Sequence, residues 1–271
     1  MWFDSGVKPS WYYWFAGDIV YHLGWEDISA AYLAVTYLYG SRMICERDNL
    51  FAKFSTGYGS GQDNYDQPSY PSYLDLNGHD QSLLHLYRGY NSSAVGIMVT
   101  SAVPATLTIK NTNWKDDGDG WCRGNFTGAA AFTYDGSWTN KFTKIFSRTT
   151  GALTVKKGAF KFAEGAGWGG TNVFVKAGAK LIIAADSMPV AFGNRALLGH
   201  QSWTRLEIEN GGTLELSAAD KPAVVRSFVY NGAQMPAGTY TSASGVGIAG
   251  GGALRVRSST DGEPCAVLLV R

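Results

Sequence analysis

Asp116, Asp117 and Asp119 stand together in the run Asp-Asp-Gly-Asp-Gly. Clustered carboxylates on a glycine-rich loop suit a hard, oxygen-seeking cation such as calcium. The run lacks the spacing and distal glutamate of an EF-hand, and Asp/Gly loops are common without metal. Calcium is the one cofactor this sequence offers a place for; otherwise none is expected. Glu207 and Glu209 alternate along one strand-like run and so share a face, about 7 Å apart. Two carboxylates at such a separation suit glycoside cleavage, while outward charge is also what any solvated strand requires. Trp114, Trp121, Trp138, Trp168 and Trp203 fall in or beside turns. There they suit stacking on sugar rings, or equally the covering of a core beneath a loop.

Other chemistry finds little support. His22, His79, His85 and His200 are scattered, without an H-E-x-x-H spacing, and no G-x-S-x-G occurs. His79 and Asp80 follow Leu-Asp-Leu-Asn-Gly and read as turn residues. Gly57, Gly59 and Gly61 are not followed by Lys-Ser/Thr, so they do not form a phosphate-binding loop. The cysteines Cys45, Cys122 and Cys265 are odd in number and far apart, which argues against a disulfide framework or thiolate metal site.

The elements that must position these residues are short strands. Gly151–Ile183 speaks one phrase twice: Leu153 and Val155 alternate with polar neighbours, Gly158 interrupts, and Phe160 and Phe162 resume. The second copy sets Val173 and Val175 before Gly178, then Leu181 and Ile183. Strict alternation marks a strand with one buried face, and the intervening glycine marks a bend. The two glycines are 20 residues apart, a length typical of one coil in a repeat array. Leu206, Ile208, Leu214 and Leu216 flank Gly211-Gly212 in another copy, and the series continues through Asn231-Gly232 to Leu254 and Val256. One interval is longer, 33 residues from Gly178 to Gly211, and places an extra loop in 184–202.

Composition agrees. The 271-residue chain carries a formal charge of +1, only 17% charged residues and 34 glycines, so no global field points to nucleic acid or an anionic membrane. No basic segment leads into an apolar core at the N-terminus, so no signal peptide is expected. Asp18, His22, Glu26 and Asp27 interrupt the apolar stretch 11–40, so no membrane span is expected either. The sequence reads as part of a longer protein.

Residues 1–72 read as an aromatic-rich cap with one helix at 26–39 ending at Gly40, followed by a Gly/Pro loop over 55–72. Residues 73–257 are the repeats, broken by a polar insertion at 114–128. Residues 258–271 are a tail with a last strand at 266–270.

Leu-Asp-Leu-Asn-Gly-His-Asp-Gln (74–81), Gly-Ala-Leu-Thr-Val-Lys-Lys-Gly (151–158), Leu-Glu-Ile-Glu-Asn-Gly-Gly-Thr-Leu-Glu-Leu (206–216) and Tyr-Asn-Gly-Ala-Gln-Met-Pro-Ala-Gly-Thr-Tyr (230–240) resemble the autotransporter-associated β-strand repeat over roughly 73–257. The resemblance implies an all-β, right-handed parallel β-helix (β-solenoid) passenger, at the bacterial cell surface or outside the cell. It carries no shared catalytic residues. The expectation is a structural or adhesin-like scaffold that displays loops and contacts surface glycan, with polysaccharide binding or cleavage by a lyase or glycosidase as the alternative. A scaffold calls for outward ladders of Thr, Ser, Lys and Glu; an enzyme calls for carboxylates and bases converging in a groove.

Overall fold

The computed structural model describes residues 12–16, 20–23, 35–39, 42–49, 57–60, 73–83, 85–88, 97–110, 120–122, 124–143, 146–193 and 204–258. It is all β. In Asn172–Val175, Lys180–Ile183 and Thr213–Leu216 every second residue is buried and its neighbours are half-exposed, because successive side chains leave a strand on opposite faces.

Most strands pair in parallel, in three stacks. The first contains Val20–Leu23, Arg42–Cys45, Tyr73–Asp75, 97–101, 124–128, Phe146–Thr149 and Gly167–Trp168. The second contains Gln81–Leu83, 105–109, 130–134, 153–155, Asn172–Val175, Arg205–Ile208 and Ser227–Tyr230. The third contains Gly120–Cys122, 139–143, 159–163, Lys180–Ile183, Thr213–Leu216 and Ile248–Ala249. Between Ile97 and Ile183 the chain visits first, second and third stack in turn and then begins again. The long strands Ile97–Ile109, Gly124–Thr143 and Leu153–Ala163 pass from one stack to another, and join them into a single large sheet. A further parallel set comprises Tyr12–Ala16, Val35–Tyr39, Gly57–Ser60 and His85–Arg88.

Register aligns the core in columns. Leu107, Phe132, Leu153, Val173, Leu206 and Phe228 lie on successive strands of the second stack, and all are fully buried. Each such side chain contributes about 1.5–3 kcal/mol relative to exposure. Side chains from the three stacks meet: the Phe132 ring centroid is 5.1 Å from Phe126 of the first stack and 5.2 Å from Phe160 of the third. Phe126 also approaches Phe142 of the third stack, at 6.1 Å.

Gly158 makes one of the bends. Its φ is +69°, and a Cβ there would sit 2.4 Å from the carbonyl oxygen of Gly136 on the adjacent strand. Only glycine fits both demands.

Several expectations need correction. Val35–Tyr39 is a strand and not the end of a helix; the rest of the 26–39 segment lies outside the described residues. Val-Thr-Tyr-Leu-Tyr alternates as well as it follows a helical face, and parallel partners on both sides decide for the strand. Gly57–Ser60, expected in a loop, is also a strand. Parallel pairing crosses the boundary expected at residue 73, since Arg42–Cys45 pairs with Tyr73–Asp75. The insertion expected at 114–128 ends in strand: Gly120–Cys122 and 124–128 are stack members. The described part of 184–202 is not held away from the body, because Ser187, Met188, Ala191 and Phe192 are buried and the Trp168 backbone N–H donates to the Ala191 carbonyl at 2.8 Å. The last strand expected at 266–270 lies outside the described residues.

Candidate functional site

The outward face of the second stack carries the candidate carboxylates. Leu206 and Ile208 point inward, so alternation turns Glu207 out. Arg205, two residues earlier on the same face, donates to it at 2.9 Å. Glu209 lies just past the strand end. Its register is set by the 33-residue step that puts Ile208 beside Val175 and thereby Glu209 beside Lys176. The Lys176 ammonium donates to Glu209 Oε1 at 2.7 Å, and the Ala177 N–H donates to Oε2 at 3.1 Å. Both bonds favour the ionised form, so the Glu209 carboxyl is held below its ordinary value, chiefly by Lys176 and then by Ala177.

This arrangement suits a structural carboxylate better than a general acid, which must hold a proton near neutral pH. Glu207 and Glu209 do not converge on a shared point: each has its own cation. The same pattern recurs elsewhere. Lys180 pairs with Glu215 at 2.9 Å and Lys156 with Asp135 at 2.8 Å, each joining one turn of the chain to another. Exposed pairs of this kind contribute little stability singly. Thr108, Thr133 and Thr154 stand in register on the second stack as a hydroxyl column.

The tryptophans divide. Trp168 is fully buried, and its indole N–H donates to the Gly151 carbonyl at 3.2 Å; it belongs to the core and offers no face to a ligand. Trp138 is 40% exposed at a bend of the strand Gly124–Thr143. Trp121 lies in the strand Gly120–Cys122. Trp114 and Trp203 lie outside the described residues, as do Asp116, Asp117 and Asp119, so the calcium expectation falls on no described group. Among the described residues, no three His, Cys, Asp or Glu side chains gather as a metal ligand set. No described helix is long and apolar enough to cross a membrane.

The polar residues of Leu-Asp-Leu-Asn-Gly-His-Asp-Gln form a network that joins neighbouring strands. Asp75, largely buried, pairs with Arg42 and accepts the Asn77 N–H at 2.9 Å. Asn77 Nδ2 reaches the Cys45 carbonyl at 3.2 Å, and Gln81 Nε2 reaches the Arg47 carbonyl at 2.7 Å. Burial first, and then the nearby Asp75 charge, push the Cys45 thiol far above its ordinary value, which leaves it a neutral core side chain. Lys176 and Lys180 did not stand out as partners of the glutamates in the sequence. Glu209 follows Lys176 by the 33-residue register step, whereas Glu215 lies 35 residues after Lys180 and meets it on the diagonal, so both pairings emerge only once the strand register is known.

No family model, curated protein or solved structure matches the chain.

Proposed function

We propose that the chain is a right-handed parallel β-helix acting as an exported, non-catalytic scaffold of adhesin-like character, akin to the autotransporter-associated β-strand repeat proteins. The observation that carries this reading is the register: three parallel stacks, visited in fixed order, with fully buried columns running along them. A coil of this length cannot bury its own apolar face, so stacking on neighbours supplies both core and backbone pairing. The right hand follows from the strong preference of parallel crossovers for that sense. The ion-paired glutamates and the threonine column are what a solvated scaffold requires. Such a body presents its surface at a bacterial cell exterior, with glycan as the contact.

A second reading rests on Trp138. An indole 40% exposed at a bend of the strand that also bears Lys141, beside the strand that bears Lys156, is suited to stacking on a sugar ring. The two readings separate in a glycan array combined with a polysaccharide turnover screen. The scaffold reading expects no turnover. Binding that disappears in Trp138→Ala, with the melting temperature unchanged, would favour a lectin-like module. Cleavage of any polysaccharide would overturn the scaffold reading.

A further inference from the structure

Among the described residues, the parallel rule breaks at one place. After Ser227–Tyr230 the chain turns back at Asn231-Gly232, whose φ values of +50° and +78° suit a tight hairpin. Ala233–Met235 then pairs antiparallel with Ser227–Tyr230, the last described strand of the second stack. Gly238–Tyr240 pairs antiparallel with Leu254–Val256, whose other edge is bonded in parallel to Ala223–Val225. The 3-10 turn Ser242–Ser244 lies against Ile248–Ala249, the last described strand of the third stack. One insert, 231–247, therefore borders the terminal strands of three separate rows.

Its two sides differ as a lid's should. Met235, Tyr240 and Val246 pack on the core, and the Tyr240 ring meets Phe228 edge-on at 5.5 Å. The Tyr240 hydroxyl donates to the Pro236 carbonyl at 2.6 Å, which ties the two short strands together. The opposite side exposes Ala233, Gln234, Pro236, Ala237, Gly238 and Thr239, all small or polar and none charged. Beneath lie Phe228 and Leu254, both fully buried, at the end of the core.

An uncovered strand edge with an apolar core beneath it is a template for a further strand from another molecule. We propose that residues 231–247 are an autoinhibitory cap that keeps this end of the array from pairing with a second copy of the chain. The strands it adds have three residues each, and Pro236 between them has no N–H to donate. The cap stands on strand pairing and burial alone, whatever the array displays.

The test excises 233–240 from the full chain, joining Gly232 to Thr241, and follows mass by sedimentation across a concentration series. The parent should hold its mass, while the shortened chain should rise by about twofold or more as its edges pair. A shortened chain that keeps its β circular dichroism and stays at the parent mass would overturn the cap. So would loss of the whole β signal, because a lid over one end cannot hold up Ile97–Ala163. Tyr240→Ala provides an independent reading by hydrogen exchange. Amides of Phe228–Tyr230 and Leu254–Val256 should exchange about tenfold faster, with those of Leu153–Ala163 unchanged; equal protection in parent and variant would sink the proposal.

Discussion

The Asp48 carboxylate accepts the backbone N–H of Asp80 at 2.8 Å, and Asp80 in turn accepts the N–H of Thr106 at 2.7 Å. The return bond runs from the Asn49 N–H to the Asp80 carbonyl at 2.8 Å. These aspartates occupy turns that follow neighbouring strands of the first stack. There the backbone leaves the strand ladder and its N–H groups need another acceptor. Each side chain supplies that acceptor to a later segment of the chain.

Asp80→Ala should therefore cost about 1 kcal/mol of stability through loss of one charge-assisted bond at an exposed site. Asp80→Asn, which keeps an oxygen acceptor, should recover much of that loss. Urea denaturation of the two variants measures the difference, and equal midpoints for Asp80→Ala and the parent would show that the bond is unimportant.

Two glycines allow backbone strain to be separated from crowding. Gly178 has φ of +74° with open space where a Cβ would go, whereas Gly158 combines φ of +69° with a carbonyl oxygen in the way. Gly178→Ala should cost about 1 kcal/mol for the left-handed backbone alone. Gly158→Ala should cost roughly 2–4 kcal/mol, because the adjacent strand must also shift. Thermal melts that rank the two variants in the opposite order would contradict the close approach.

Glu209 gives the chain an acid-sensitive contact. Its carboxyl is held below the ordinary value by Lys176 and then Ala177. The folded state therefore favours the ionised form more than the unfolded state does. That contribution is present above the unfolded value and is lost as pH falls through the folded one. Glu209→Gln should lower the melting temperature slightly at neutral pH and converge with the parent at acid pH, which flattens the acid limb of the profile. An unchanged acid limb would mean that the Lys176 contact does not persist in solution.

Much of the architecture was legible in the residues. Leu153, Val155, Phe160 and Phe162 alternate in the sequence and are buried in the fold; Gly158 bends where its spacing placed it. The turn reading of Asp80 also matches its carboxylate on the Thr106 N–H. Alternation and turn chemistry are local properties, carried by each residue's own side chain and backbone freedom.

What only the tertiary structure decided is which strand lies beside which. Val35–Tyr39 satisfies helical and strand periodicities alike, and its parallel neighbours resolve the choice. Trp168 fits a sugar platform or a core cover equally in the sequence, and its full burial, with its backbone N–H on the Ala191 carbonyl, decides for the core. Glu209 reads as a free carboxylate until register places Lys176 beside it. The antiparallel turn of 233–240 is likewise invisible in a phrase that continues the repeat. A strand's own residues determine which of its faces is apolar, whereas its neighbours are set by long-range pairing, whose loop-closure cost is repaid only when the whole core assembles.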